Sequence, residues 1–323
     1  MRRRPFLPVV LVVLVALAPV AACAGGSDRS GSPGGLEVAH RVRAAQATGL
    51  AVDDGTLLVG ELETGRLLAV DWRRGTSSAR GQVGPLDTRP TQRGLLGLAV
   101  TPRGEVLASL TGTDGHIQVV RVAHDGTLAT AWRGPESADE ADGGRLAVLP
   151  DGAVAIGIGD LLDPDRTPDP EAPNGKVLRI DGVDATTPLA GGLNNPFALA
   201  PGPDGTLWVA DNAPGRRPER LLELSATAAA GSRPDAVPEP RVVASWSDTR
   251  VPSGLAWLAD GRLALCSYAA SELRVVDADE VDRLDDPDTG VLVADDCRYG
   301  VVALPGGGLA YAAEDEVVIL RPT

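Results

Sequence analysis

Short apolar runs alternate with polar turns along most of the chain, and one phrase recurs six times. Each phrase is an apolar run, a two-residue turn that ends in glycine, and a second apolar run. The turns are Asp54-Gly55, Arg103-Gly104, Asp151-Gly152, Asp204-Gly205, Asp260-Gly261 and Gly306-Gly307. Subtracting successive glycine numbers gives intervals of 49, 48, 53, 56 and 46 residues. The sequence therefore carries an internal repeat with a period near 50 residues.

These runs are typical of β-strands, because they are short and are bounded by Gly and Asp. Asp-Gly between two such runs favours a hairpin, since both residues tolerate the positive φ of a type I′ turn. A repeat of this length matches one four-stranded propeller blade. We therefore predict an all-β fold over residues 36–323, a six-bladed β-propeller of four-stranded blades.

The last blade lacks a fourth strand at the C-terminal end of the sequence. Its third predicted strand ends at Leu320, three residues from the terminus. A propeller gains stability when a strand from the other end of the chain closes the ring. We therefore expect residues 38–45 to pair antiparallel with residues 317–320.

The N-terminal segment resembles a secretory signal more than a part of the fold. Arginines at positions 2–4 precede an apolar run over residues 6–20. A run of this length suits a signal peptide and is short of the roughly 20 residues that span a membrane. Residues 20–23 resemble a bacterial lipobox, which implies lipidation of Cys23. We expect a lipoprotein signal peptide over 1–22, a flexible Gly- and Ser-rich tether over 23–35, and an extracytoplasmic location, anchored to the outer face of the cytoplasmic membrane.

Composition fits this picture and excludes one class of partner. The sequence contains 39 Gly and 26 Pro, which suits a turn-rich protein. Its 44 acidic and 30 basic residues give a net charge of −14, which argues against nucleic-acid binding.

Two further cysteines, Cys266 and Cys297, remain after Cys23 is set aside. In an extracytoplasmic chain such a pair favours a disulfide. Cys266 ends the predicted second strand of blade five, and Cys297 lies just before the first strand of blade six, so both lie on the same rim of adjacent blades. A metal site or a reactive thiol is the alternative, although no His flanks either cysteine.

The loops on that same rim carry four recognisable phrases in order along the chain. They are Gln-x-Gly-Leu-Leu-Gly at 92–97, Gly-Gly-Arg-Leu at 143–146 with Gly-Asp at 159–160, Gly-Lys-Val-Leu-Arg-Ile at 175–180, and Asn-Pro at 195–196 followed by an acidic strand end at 211–212. With these phrases the chain resembles the glucose/sorbosone dehydrogenase family. The resemblance implies oxidation of a sugar-like small molecule by hydride transfer to pyrroloquinoline quinone (PQQ), with calcium as a second cofactor.

The resemblance also implies roles for individual residues. Cofactor-binding positions are Gln92, Arg93, Arg145, Asp160, Asn194 and Asn195. The backbone carbonyls of Ala213 and Pro214 align with a calcium-ligating turn.

The sequence departs from the family pattern where the chemistry is expected. The family's general base is a His at the position of Ala141, and a methyl group cannot accept a proton. Asn194 replaces an Arg that pairs with the cofactor in the family. His116 and Asp142 are the remaining candidates for a base.

The retained residues also have structural explanations. Gln92 and Asn195 can cap loop backbone groups, and Arg145 can form an ion pair with Asp160 or Asp142. Three functions therefore stay open. They are a PQQ-dependent sugar dehydrogenase, a non-catalytic propeller that binds a ligand or a partner, and a calcium-dependent lactonase in which Asn195, Asp211 and Asp160 would be ligands.

Overall fold

The computed structural model describes residues 32–89, 92–213, 218–225, 237–286 and 289–323. These residues form 24 β-strands and three short 3₁₀ turns, Pro33–Gly35, Pro164–Arg166 and Ala278–Arg283. The strands are β1 Leu36–Arg43, β2 Ala47–Asp53, β3 Thr56–Glu61, β4 Arg66–Asp71, β5 Thr76–Gln82, β6 Leu95–Val100, β7 Val106–Thr111, β8 His116–Val122, β9 Leu128–Glu136, β10 Gly143–Val148, β11 Val154–Ile158, β12 Lys176–Gly182, β13 Ala185–Ala190, β14 Asn195–Pro201, β15 Thr206–Asn212, β16 Glu219–Ser225, β17 Arg241–Trp246, β18 Pro252–Trp257, β19 Leu263–Ser267, β20 Glu272–Val276, β21 Val291–Ala294, β22 Gly300–Ala303, β23 Leu309–Ala312 and β24 Glu316–Pro322.

The strands form six antiparallel sheets of four, and each sheet is one blade. Blades one to five use consecutive strands from β2 to β21, and blade six has the order β22-β23-β24-β1. The first strand of each blade contacts the first strand of the next, from β2 through β6, β10, β14 and β18 to β22, and β22 contacts β2 again. The predicted six-bladed propeller is confirmed.

Ring closure occurs as the sequence predicted. Strand β1 pairs antiparallel with β24, so that Val38 lies opposite Leu320 and Val42 lies opposite Val317. The strand ends at Arg43, two residues before the predicted boundary.

The repeated glycine turns form the inner hairpins, but only some have the predicted geometry. Asp54 and Gly55 both have positive φ, 38° and 81°, as a type I′ turn requires. In blade three only Gly152 has positive φ, 82°, and its N–H donates to Leu149 O. The same four-residue turn with glycine last recurs at Gly104, Gly205 and Gly261. The glycines were therefore predicted correctly, and the expectation of two left-handed residues was wrong for these four hairpins.

The hydrophobic core lies between blades. Each of the six clusters of buried apolar side chains combines residues from two neighbouring blades in the described part of the chain. Alternate residues of each strand therefore face opposite neighbours, which is why most inner strands are apolar on both faces. This packing fixes the rim loops around the central axis.

A disulfide joins Cys266 to Cys297, as predicted, with the two Cα atoms 5.7 Å apart. It connects the end of β19 in blade five to the segment before β22 in blade six. The metal-site and free-thiol alternatives for this pair are thereby excluded.

The predicted signal peptide and Cys23 lie outside the described residues. At the end of the predicted tether, Pro33–Gly35 forms a 3₁₀ turn whose Gly34 O accepts a hydrogen bond from Arg262 Nη1 at 2.7 Å. Within the described ranges, no helix is both long and apolar enough to cross a membrane.

Candidate functional site

A cavity of about 450 Å³ opens on the rim where the loops before β6, β10, β14, β18 and β22 meet. Residues from all six blades line it, and most of them come from the segments before innermost strands and after second strands. A smaller cavity of about 60 Å³ lies among the innermost strands and shares Thr48 and Ser253 with the larger one. The larger cavity is the candidate functional site.

Arg145 lines the smaller cavity and not the larger one. Its guanidinium donates to the carbonyls of Leu96 at 3.2 Å, Phe197 at 3.1 Å, Ser253 at 3.3 Å and Tyr299, which belong to four different blades. Burial lowers the pKa of Arg145 to about 9, so it stays charged at neutral pH. The expected ion pair with Asp160 or Asp142 was wrong, since backbone carbonyls accept every described hydrogen bond of the guanidinium.

Arg93 also points away from the cavity. It forms an ion pair with Asp87 at 2.7 Å and donates to Ala138 O and Ser137 O at 3.1 and 3.0 Å. These bonds fix the loop between β9 and β10 to the loop before β6. Arg93 is thus occupied by a structural role within the rim.

Two buried carboxylates hold the turn before β14. Asp211 Oδ1 accepts from the backbone N–H groups of Asn194 and Asn195, both at 2.8 Å, and its Oδ2 pairs with Arg220 at 2.6 Å. Asp160 Oδ2 accepts from Asn194 Nδ2 at 2.6 Å. Asp160 is fully buried and is not among the residues that line the cavity.

Asn194 and Asn195 both line the cavity. The Oδ1 of Asn195 is buried and has no hydrogen-bond partner among the described residues. An acceptor in this state is costly unless a ligand or water donates to it. The atom has almost no accessible surface, so it is not itself a contact point for a molecule in the cavity.

Ala141 and its neighbours form the wall on blade three. Ala141 lines the cavity with a φ of 58°, and its N–H donates to Gln92 Oε1 at 3.4 Å. Gln92 therefore does bond to a loop backbone group while it faces the cavity.

Asp142 also lines the cavity although it is only 2% exposed. Its carboxylate accepts from Ala138 N at 2.8 Å and from Ser137 Oγ. Burial raises the pKa of Asp142 to about 6, against the opposing effect of these hydrogen bonds and of Arg93. This candidate base is thus buried and held by the loop before β10.

The other candidates are not brought to the cavity. His116 begins the third strand of blade two, where Nδ1 contacts Asp114 O at 3.1 Å and Arg133 Nη2 at 3.3 Å. Ala213 is buried, and Pro214 lies outside the described residues. Within the described ranges, no group of three or more His, Cys, Asp or Glu side chains could hold a metal ion.

The disulfide supports the wall on blades five and six. Tyr268 follows Cys266 by two residues, and Arg298 and Tyr299 follow Cys297 directly. The rings of Tyr268 and Tyr299 make an edge-to-face contact at 5.7 Å, and the Arg298 guanidinium lies 5.3 Å from the centre of the Tyr268 ring. Tyr299 OH donates to Glu314 Oε1 at 2.9 Å.

The lining also includes residues that the sequence did not single out. Gln46 precedes β2 and Glu63 follows β3, while Leu162 and Phe197 come from blades three and four. In blade one, Gln46 and Glu63 lie before the innermost strand and after the second strand. These are the positions that identified the rim loops of the other blades. Applying the same topological rule to the first blade would have found them.

A model of the glucose/sorbosone dehydrogenase family matches residues 46–211. The chain belongs to the glucose/sorbosone dehydrogenase family. This match covers half the sequence and contains most of the phrases that carried the resemblance. A search of the curated proteins found no match.

Solved structures share the propeller fold of this family member at low identity. A PQQ-bound aldose sugar dehydrogenase from Streptomyces coelicolor is 21% identical with a TM-score of 0.69, over 88% of this chain and 97% of that one. The soluble aldose sugar dehydrogenase from Escherichia coli, in its apo form, is 19% identical with a TM-score of 0.69, over 89% and 99%. A protein described as belonging to the gluconolactonases is 16% identical with a TM-score of 0.58, over 90% and 93%.

The glucose/sorbosone dehydrogenase match ends within β15. Tyr268, the disulfide and Arg298 therefore lie beyond the matched region. The part of the cavity on blades five and six is described by this chain's own residues alone.

Proposed function

We propose that this family member binds a small polyhydroxylated molecule in the rim cavity and does not oxidise it with PQQ. The observation that carries the proposal is the charge of the lining. Of the described residues around the cavity, Arg298 is the one cation, and Glu63, Glu140 and Asp142 are carboxylates.

The charge of this cavity does not suit PQQ. The cofactor carries three carboxylates, which need cationic donors for strong charge-assisted hydrogen bonds. Arg93 is bound to Asp87, Arg145 to backbone carbonyls, and Asn194 replaces the family's cofactor-pairing Arg. The described lining thus offers one Arg to the three carboxylates of PQQ, and the lining itself contains further carboxylates.

The position of the catalytic base leads to the same conclusion. Ala141 lines the cavity at the place where the family has its His. Its side chain cannot accept the proton that leaves a hydroxyl group during oxidation.

The remaining lining suits a sugar-like ligand. Amide groups of Gln46, Gln92, Asn194, Asn195 and Asn212 can donate and accept hydrogen bonds with hydroxyls. Tyr268, Tyr299 and Phe197 supply aromatic surface next to them. A cavity with apolar surface and a few convergent polar groups is typical of small-molecule sites.

Cofactor uptake and sugar binding can be tested on the same preparation. The purified protein is titrated with PQQ in the presence of Ca²⁺ by absorbance after desalting, with the Streptomyces coelicolor enzyme as the positive control. We expect no stoichiometric uptake and no sugar-dependent dye reduction, but saturable sugar binding by calorimetry. Stoichiometric PQQ uptake with sugar-dependent dye reduction would overturn the proposal.

One observation favours retained catalysis as a second candidate. Asp142 lies in the cavity wall with its pKa raised to about 6, which suits a general base near neutral pH. If the protein turns over a sugar, Asp142→Asn should reduce the rate by about 10²-fold or more. His116→Ala is the matched control and should leave the rate unchanged.

We also propose that the protein is an extracytoplasmic lipoprotein anchored through Cys23. The disulfide supports an oxidising compartment, because such bonds are rare in the bacterial cytosol. Intact mass of membrane-extracted protein should reveal a lipid on Cys23. Membrane fractionation of a Cys23→Ala variant should show loss of the anchor, and a variant that stays with the membrane would contradict it.

A further inference from the structure

Tyr268, Arg298 and Tyr299 form one wall of the cavity, here called the clamped wall. A disulfide and backbone hydrogen bonds hold the two loops of this wall in place. The Cys266–Cys297 disulfide joins the two loops at their bases. Backbone hydrogen bonds from Arg298 N to Ala312 O at 2.8 Å and from Tyr268 N to Val251 O at 2.9 Å fix them to blades six and five. The side chains that project from these loops are therefore positioned before any ligand arrives.

Arg298 is held in position, but its contacts among the described residues do not use all of its N–H donors. Its side-chain contacts are Nη1 to Tyr268 O at 3.4 Å and Nε to Glu314 Oε2 at 3.9 Å, both long. The guanidinium has five N–H donors in a planar fork that matches a carboxylate. Its side chain is 36% exposed and it lines the cavity, so a ligand can reach the fork.

Tyr268 supplies a flat surface beside that fork. The residue is 40% exposed and lines the cavity, although its ring is held by Tyr299 on one side and Arg298 on another. An exposed, immobilised aromatic ring is suited to the apolar face of a sugar ring, because little side-chain entropy is lost on binding.

The blade-four wall of the cavity supplies hydrogen bonds without a cation. Asn194, Asn195 and Asn212 line it with side-chain amide groups. Amides donate to and accept from hydroxyl groups, and they carry no positive charge to pair with a carboxylate. The cavity therefore has one cation on the clamped wall and neutral amide groups on the blade-four wall.

We propose that the ligand is a sugar acid, such as a uronate, whose carboxylate binds Arg298 while its ring packs on Tyr268 and its hydroxyls bond to the amide groups of the blade-four wall. This inference rests on the proposed sugar binding and names the class of sugar. Glu63 and Glu140 are exposed residues of the lining, where solvent screens their charge. Asp142 is already bonded to Ser137 and Ala138, and these carboxylates disfavour the acid group at blades one and three. At the clamped wall, Glu314 accepts from Tyr299 OH and lies 3.9 Å from Arg298 Nε, which leaves the Nη donors of Arg298 for the ligand.

The test compares three sugars of matched size by calorimetry with the wild-type protein: glucuronate, glucose and glucosamine. We expect glucuronate to bind at least about tenfold more tightly than glucose, because the added contact is a charge-assisted hydrogen bond. Equal affinities, or tightest binding of glucosamine, would overturn the inference and leave sugar binding intact. Absence of binding by all three sugars would refute the proposed function as well.

Two variants locate the effect. Arg298→Gln should weaken glucuronate binding by about 10- to 100-fold and change glucose binding by less than about threefold. Arg283→Gln removes an exposed arginine of a 3₁₀ turn and is the matched control, with no change expected. Unchanged glucuronate affinity in Arg298→Gln would place the acid group elsewhere and overturn the assignment.

Discussion

Replacing Arg145 by methionine removes one cation from the propeller axis while keeping an unbranched side chain of similar length. The guanidinium now satisfies carbonyls of Leu96, Phe197, Ser253 and Tyr299, which belong to blades two, four, five and six. Methionine cannot donate to any of them. The change therefore tests whether this residue links the blades or merely fills space.

The expected loss follows from the number of acceptors left without a donor. A buried polar group that loses its partner costs about 1–3 kcal/mol, so four carbonyls give roughly 4–12 kcal/mol. The adjoining cavity of about 60 Å³ has room for water, which can replace some of these hydrogen bonds. We therefore expect the lower end, a loss of about 4 kcal/mol in the free energy of unfolding.

Urea unfolding followed by tryptophan fluorescence measures this loss, since the sequence contains five Trp. Arg283→Met is the matched control, because its exposed pair with Glu280 should contribute less than about 1 kcal/mol. Arg145→Lys keeps the charge with fewer donors and should fall between wild type and Arg145→Met. A loss below about 1 kcal/mol in Arg145→Met would refute the reasoning.

Three further predictions concern the disulfide, Asp142 and Ala141. Replacing Cys266 and Cys297 by Ala should lower the free energy of unfolding by about 3–4 kcal/mol, the value that the chain-entropy model gives for a separation of 31 residues. An unchanged urea midpoint would contradict this. Folding raises the pKa of Asp142 to about 6, so the native chain binds more protons than the unfolded chain between about pH 4 and 6. The stability that Asp142 contributes is therefore present below about pH 4 and is lost as pH rises through 6. Thermal unfolding from pH 4 to 8 should therefore show a decline of up to about 3 kcal/mol in wild type that Asp142→Asn lacks, and parallel profiles would rule this out. Ala141→His alone should leave sugar-dependent dye reduction at background with PQQ and Ca²⁺ present, since the described lining still lacks the cations for the cofactor; a clear rate above background would show that only the base was missing.

The fold could be predicted because its signals are local and repeated. Six glycine turns at a regular period specify six inner hairpins, and the short C-terminal blade specifies a closing strand from the N-terminal side. The turn geometry was less predictable. The extra residues in the hairpins at Gly104, Gly152, Gly205 and Gly261 leave only the glycine in the left-handed region.

The cavity could be predicted only in part. Topology placed Gln92 and Asn194 on one rim, but their orientation depends on bonds between blades. Arg145 shows the limit most clearly. Its sequence neighbours contain several carboxylates, yet its partners are backbone carbonyls from four other positions in the chain. Backbone acceptors have no signature in the sequence, so an ion pair was the wrong inference.

Closure of blade six has a consequence for how the chain is made. Val38 pairs with Leu320, a separation of 282 residues (320 minus 38). During synthesis the first strand to emerge must therefore wait for the last, while the intervening blades can form from contacts close in sequence. A chain truncated before β24 would keep five complete sheets but leave β1 without its partner and β23 with an open edge. Loss of the last eight residues, 316–323, should accordingly lower solubility, because the open edge can pair with β1 of a second copy.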